Sequence, residues 1–430
     1  MWQGIAANGS ALDAIPAAEA EDNAGRAGDA IRADNGAAIE PKTTARSLRV
    51  AVIGAGAFGG WTALHLQRLG AKVELIDAWG PGNARASSGG ETRVIRAVYG
   101  ADRVYVELVK RAWEHWEQLA TTTGETLSVE TGALWMLRGD DAYVRAAAPI
   151  LAELGFPLEQ FAIEEAAKRW PQIAFDGVRS VWLEHRAAAL FARRACTVVQ
   201  EAFVNAGGSV RLTKAEPGAI ANGSMSGLRL EDGSRLDADF YVFACGPWLG
   251  RLFPDVLGDA VKPTRQEVFY FGVPAGSDRF RPERFPTWLD FGERIFYGIP
   301  DIGNRGVKIA DDTRGEEIDP TTLDREPSPA GIARARALLA ERFPELANAP
   351  LLSAEVCQYE NSPDGHLIID RHPHASNVWL AGGGSGHGFK LSPAVGEIVA
   401  RAIVADGDVP QQFRLERLRD AKTRTQFESR

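Results

Sequence analysis

The stretch "LRVAVIGAGAFGGWTALHLQRLGAKVELIDA", residues 48–78, carries the pattern that decides the fold. Leu48 to Ile53 is a short apolar run, typical of a strand buried on both faces of a parallel sheet. Gly54, Gly56 and Gly59 follow in G-x-G-x-x-G spacing and open a helix that Gly70 can close at its C-terminal end. A second strand, "KVELID", ends at Asp77. Glycines at these positions permit a tight turn and the close approach of a pyrophosphate. That group would sit on the helix N-terminus, where unpaired N–H groups point outward. Asp77 is placed to accept a hydrogen bond from a ribose 2′-hydroxyl and would repel a 2′-phosphate. The stretch predicts a dinucleotide site and disfavours NADP, but it leaves NAD and FAD open.

The totals bound what surrounds this unit. At 430 residues the chain is too long for one ordinary core, so at least two domains are expected. A composition of 45% hydrophobic and 24% charged residues is that of a globular protein. The net charge of -9 argues against nucleic acid as a partner, and basic clusters such as "RFRPERF" and the arginine-rich C-terminal tail read as solvated faces. No run of 18 apolar residues exists, so no membrane span is expected. Three widely spaced cysteines (Cys196, Cys245 and Cys357) form no disulfide framework, which favours a reducing, cytoplasmic setting. Residues 1–46 are rich in alanine and carry seven acids against four basic residues, unlike a signal or transit peptide. They are expected to be a disordered leader with no catalytic part.

A second glycine-rich turn lies near the other end, in "WLAGGGSGHGFKLSPAVGEIVARAIV". An apolar strand end, Val378 to Ala381, runs into five glycines around Lys390 and then into a helix whose buried face is Val395, Ile398, Val399 and Ile403. The helix N-terminus near Ser392 and Pro393 offers free N–H groups and a partial positive charge. The face Val109, Trp113, Trp116 has helical spacing and reads as core.

Four stretches, "VIGAGAFG", "SSGGETRVIRAVYG", "CQYENSPDGHLIID" and "AGGGSGHGFKLSPAVGE", resemble the FAD-dependent amine oxidases of the D-amino-acid-oxidase superfamily in residues, order and spacing. The branch they are most similar to holds monomeric sarcosine oxidase, N-methyltryptophan oxidase, pipecolate oxidase and fructosyl amino acid oxidase. The resemblance spans residues 48 to about 415. It implies FAD, and an α/β fold (α+β overall) in which a Rossmann-type FAD-binding domain is interleaved with a substrate domain on a largely antiparallel sheet. The expected boundaries are 47–126, 191–262 and 364–430 for the FAD-binding domain, and 127–190 and 263–363 for the substrate domain.

The resemblance also assigns residues. Arg93 would lie against the flavin ring, while Arg96 and Lys390 would bind a substrate carboxylate. Arginine suits that work because its planar, always-charged fork grips a carboxylate in bidentate fashion, although arginines are frequently only surface partners. Lys308, in "GVKIADD", would stand near flavin N5 and stabilise the anion that forms as O2 is reduced. By itself, a lysine at a strand end reads as a solvated side chain. Tyr297 and Tyr359 would line the substrate cavity, or equally be core residues with bonded hydroxyls. Gly386, His387 and Gly388 would border the cofactor, with His387 a backbone-bonding turn residue. Cys245 and Cys196 read as structural.

Two positions depart from sarcosine oxidase: Gly89 and Asp312 each stand where that enzyme has a histidine. Fructosyl amino acid oxidases carry an acid at the second position. There Asp312 would bind sugar hydroxyls or a cationic amine, or it would simply cap the turn before "RGEEID". Cys357 matches the cysteine that forms a thioether to the flavin 8α-methyl group, its thiolate beside Arg93 being the reactive form. A solitary cysteine is otherwise a small buried hydrophobe.

The expected activity is oxidation of an N-substituted amino acid to an imine, with O2 as partner and hydrogen peroxide as product. The expected assembly is a monomer or small homo-oligomer. The alternatives are a fructosyl amino acid (Amadori product) oxidase, an FAD-dependent dehydrogenase with another electron acceptor, a nicotinamide dehydrogenase and a nonenzymatic binding protein.

Overall fold

The computed structural model describes residues 48–405, 407–419 and 421. The expected leader 1–46 and the end of the arginine-rich tail lie outside the described residues.

The apolar run opens the fold as expected. Arg49–Ile53 is a strand whose last four residues are buried. It is flanked in parallel by Lys72–Asp77, with Val52 opposite Leu75, and by Phe240–Phe243, with Val52 opposite Val242. Being central, it needs apolar residues on both faces. The six strands run in the order Ile368–His372, Ala375–Gly382, Phe240–Phe243, Arg49–Ile53, Lys72–Asp77, Ser209–Leu212. Only the hairpin of the first two is antiparallel. The helix Ala57–Arg68 follows the glycine turn and packs against the helix Ser392–Val404, so the two ends of the described chain meet across one helix pair.

A buried polar cluster locks that pair to the helix Arg103–Thr123. The Glu397 carboxylate accepts from Arg111 Nε at 2.7 Å and lies 3.0 Å from His115 Nε2, while His65 Nε2 lies 3.1 Å from the Pro393 carbonyl. Burial lowers His65 to about 3, so it stays neutral and donates. Burial works against the Glu397 charge too, but Arg111 and His115 outweigh it and hold the carboxyl below its usual range.

A second sheet of eight strands is built from residues 133–184 and 262–361. Every neighbouring pair is antiparallel except Ala133–Leu137 with Thr287–Phe291. Its core is aromatic, with Trp288, Phe269, Phe271, Phe280, Phe285 and Phe343 all fully or nearly fully buried. The chain therefore passes between a Rossmann-type parallel sheet and a largely antiparallel one, as the fold class requires. Two strands of the second sheet matter for the site. Leu351–Asn361 pairs with Lys262–Phe271, setting Cys357 opposite Gln266 and Tyr359 opposite Thr264. Val307–Asp311 sets Lys308 between Tyr270 and Ile299. A small third sheet contains Thr92–Ile95, the strand that carries Arg93.

Candidate active site

A cavity of about 570 Å³ is lined by Gly54 and Gly56 of the glycine turn, by Asp77, by Arg93, and by Gly384, Gly386 and Gly388 of the second glycine loop. Gly54 has φ 104°, and a Cβ there would lie 2.3 Å from the Ala244 carbonyl oxygen. A Cβ on Gly59 would lie 1.8 Å from the Gly54 carbonyl oxygen. No side chain caps the helix that starts at Ala57, so its first N–H groups remain free for an anion. The Asp77 carboxylate accepts from Ala55 N at 2.7 Å, Trp79 N at 2.7 Å and Gly80 N at 2.8 Å. A carboxylate has about four acceptor positions, so one remains for a ribose hydroxyl. These features fit FAD: a pyrophosphate seat, an acid for the ribose and a cavity lined by both glycine-rich loops. Trp79 and Trp248, ring centroids 5.3 Å apart, also line the cavity and were not singled out from the sequence.

Arg93, Tyr297, Lys308, Cys357 and Tyr359 border a smaller pocket, and Arg93 and Tyr359 line the large cavity as well. Arg93 is held by the carbonyls of Thr92 and Ser87 at 2.8 and 2.6 Å, and its Nη2 lies 3.5 Å from Cys357 Sγ. Cys357 is free and half-buried, so it is not packed away as a hydrophobe. Lys308 is 1% exposed, which excludes the solvated reading. Its Nζ donates to the Thr92 carbonyl at 2.9 Å and lies 5.5 Å from the Tyr297 ring centroid. Burial, then the Arg93 charge, lower its pKa to about 7.

A second cationic group is built around Tyr99. The Arg96 guanidinium lies 5.1 Å from the Tyr99 ring and 5.0 Å from the Trp135 ring, and Lys390 Nζ lies 5.2 Å from the Tyr99 ring. Both cations are 4% exposed. Lys390 donates to the His387 carbonyl at 3.1 Å, and burial together with Arg96 pushes its pKa well down. Trp116 Nε1 donates to the Lys390 carbonyl at 3.1 Å, so this core residue also fixes the loop. His387 bonds the Gly365 carbonyl through Nε2 at 2.9 Å and the Tyr99 hydroxyl through Nδ1 at 3.0 Å. Burial holds His387 well below its ordinary pKa, so the neutral ring donates from Nε2 and accepts at Nδ1. It does not line the large cavity, unlike its neighbours Gly386 and Gly388.

Asp312 links the two groups. Its Oδ1 accepts from the Tyr359 hydroxyl at 2.6 Å. Burial pushes its pKa up to about 6, against the pull of Tyr359, Arg96 and Lys390. The turn beyond it is capped by Asp311, whose Oδ1 accepts from Thr313 N at 3.1 Å, so Asp312 is released from that task. At Gly89 a Cβ would lie 1.9 Å from the Asn83 carbonyl oxygen, so this loop has no room for a side chain at that position. Of the other cysteines, Cys196 is buried with its thiol pushed up to about 11, while Cys245 lines the cavity and burial raises its thiol further.

Besides Trp79 and Trp248, sequence reasoning missed Tyr99, Glu184 and Glu360. Tyr99 stands three residues after Arg96, but nothing local marks it as a platform. Glu184 is fully buried, accepts from Ala97 N, and is pushed by burial up to about 7. Glu360 follows Tyr359 and lines the cavity.

Known proteins show the family of the chain and share its fold. The chain is 33% identical over 361 residues to monomeric sarcosine oxidase of Bacillus sp. (strain B-0618), covering 82% of this chain and 91% of that protein. It is 29% identical over 359 residues to N-methyl-L-tryptophan oxidase of Salmonella heidelberg (strain SL476), covering 81% and 92%. Among solved structures, L-proline dehydrogenase from P. horikoshii superposes with a TM-score of 0.76 at 22% identity, covering 88% of this chain and all of that one. The family described as FAD dependent oxidoreductase matches residues 49–402, and the chain belongs to it as an FAD-dependent oxidoreductase.

Proposed function

We propose that this chain is an oxidase of secondary amines, acting on an N-substituted amino acid and converting it to an imine that water hydrolyses. Bound FAD would supply the hydride acceptor, whose electrons O2 would take up as hydrogen peroxide. The observation that carries the reading is the pair of buried cations, Arg96 and Lys390, sharing the Tyr99 ring. The Asp312 and Glu184 carboxyls near these cations do not overcome the burial that pushes Lys390 down, so a substrate carboxylate would add the negative charge that favours its ammonium. Arg96 and Lys390 hold the carboxylate, Asp312 and Tyr359 orient the amine end, Tyr297 shapes the cavity, and Lys308 serves the oxygen step. Gly54, Gly56, Gly59, Asp77, Arg93, Gly386 and Gly388 hold the FAD. We assign His387 to positioning Tyr99 rather than to the cofactor.

Cys357 carries the flavin covalently in this reading, supported by its free thiol beside Arg93. Acid-precipitated protein should keep its yellow colour in the pellet, whereas Cys357→Ser protein should release it. Colour released equally from both would end the covalent assignment. The domain boundaries given above belong to the same reading, with a cytoplasmic setting and a monomer or small homo-oligomer.

The deciding experiment is a peroxide-coupled screen of sarcosine, N-methyltryptophan, pipecolate, proline and fructosyl-valine. Turnover of at least one with peroxide release is expected; silence on all five would remove the substrate class. A second reading, oxidation of a sugar-derived amine, draws on Asp312, whose remaining acceptor positions suit sugar hydroxyls. It requires fructosyl-valine to outrun the other four. Anaerobic bleaching of the flavin without peroxide in air would instead make the enzyme a dehydrogenase.

A further inference from the structure

Glu360 is 7% exposed and lines the large cavity. Its Oε1 accepts from Gly384 N at 3.2 Å, and its Oε2 is buried without any hydrogen-bond partner. No arginine or lysine among the described residues forms an ion pair with it. The atoms nearest Oε2 include backbone with no side chain: a Cβ built on Gly246 or Gly382 would lie 3.5 or 3.6 Å from that oxygen. A buried carboxyl with one weak bond and one bare oxygen is costly, and such groups in native folds usually have an unseen partner. Burial raises its pKa to about 7, as expected of an acid left so short of donors.

The position of Glu360 narrows what that partner is. On one side, Gly246 follows closely on Ala244, whose carbonyl abuts Gly54 of the glycine turn. On the other side, Gly384 begins the loop that leads to Lys390. Glu360 thus stands between the pyrophosphate seat and the loop beside the ring, while Asp77 faces the ribose at the far end. In FAD, the segment joining pyrophosphate to ring is the ribityl chain, and it carries hydroxyl donors. Phosphate oxygens offer only acceptors, which an ionised carboxylate would repel.

We propose that Glu360 is a cofactor-contacting residue whose free oxygen accepts a hydrogen bond from a ribityl hydroxyl of FAD. This rests on FAD occupying the cavity, and the test separates the two. Full-length Cys357→Ser protein, in which attachment cannot lock the cofactor, is stripped of flavin. It is then titrated with FAD and with an FAD analogue whose ribityl chain lacks its hydroxyls. With Glu360 present, FAD should bind about ten-fold or more tighter than the analogue, the range for a hydrogen bond to a charged group. Glu360→Ala should bind the two alike. Glu360→Gln, which keeps the volume and an acceptor oxygen, should retain part of the preference and guards against misfolding of the alanine variant. An undiminished preference in Glu360→Ala would overturn the contact, as would no preference in the chain that retains Glu360. Failure of that chain to bind FAD at all would instead strike at the reading of the cavity itself.

Discussion

Lys308 and Lys390 sit in two nearly parallel constructions. Each is buried, each donates to a main-chain carbonyl, each faces a tyrosine ring, and each has an arginine from the 93–96 segment beside it. They share Asp312 as a favourable neighbour but differ in the one that favours the charge most. Near Lys390 stand the carboxyls of Asp312 and Glu184, which favour its charge but do not overcome burial. Near Lys308 the first favourable group is the Cys357 thiol. In the proposed reading the first construction receives the substrate carboxylate, beside the buried carboxyls already near it. The second is a cation held near its own neutralisation point, suited to a transient anion. In that reading, similar parts serve binding in one place and chemistry in the other.

The largest effect should come from breaking the receptor. Arg96→Met removes one of the two cations and leaves the Glu184 carboxyl buried with less positive charge near it. Truncating one partner of a buried charge pair costs about 2–5 kcal/mol, or about 30- to 4000-fold. The loss should appear in kcat/KM for amino acid substrates under anaerobic flavin reduction. An N-methyl amine without a carboxylate should be nearly indifferent; if it suffers equally, Arg96 is not a carboxylate ligand.

Lys308→Met should act on the other half-reaction. Losing a fixed, buried cation at developing negative charge costs about 10²–10³-fold in rate. Stopped-flow reoxidation by O2 should slow by that factor while anaerobic reduction by substrate changes little. The reverse pattern would exchange the tasks of the two lysines. The pH dependence has a definite sign. With a pKa near 7 the lysine is charged below that pH and neutral above it, so the oxygen step should slow as pH rises through about 7. The Met variant should show no such fall.

The contrast also explains what the sequence made legible. The dinucleotide unit was readable because strand, turn, helix and acid are contiguous, and each imposes its own local pattern from Val50 to Asp77. Lys308 was not readable from its own neighbourhood: it becomes buried only because its strand lies between two others and its ammonium meets Thr92, far away in the chain. Resemblance singled it out where periodicity could not. Asp312 stayed undecided between cap and ligand because the choice depended on which of two adjacent aspartates turned to Thr313. Tyr99 and Glu360 left no local mark, since a ring becomes a platform, and an acid an orphan, only through partners brought by folding.

The smallest effect tests whether the two constructions really share a design. Tyr99 touches Arg96 and Lys390 only through its ring, while its hydroxyl bonds His387. Tyr99→Phe keeps the ring, so KM for amino acid substrates should change by less than about three-fold, the worth of one modest hydrogen bond. Tyr99→Leu removes the face under both cations, at about 0.5–2 kcal/mol for each cation–π contact, so KM should rise by about five-fold or more. The rate of the oxygen step should stay the same in both variants, because Tyr99 acts through the receptor alone. Tyr297→Leu should do the opposite, changing the oxygen step through Lys308. If each tyrosine variant disturbs both steps to the same degree, the two lysines form one site with shared electrostatics rather than a receptor and a reaction centre.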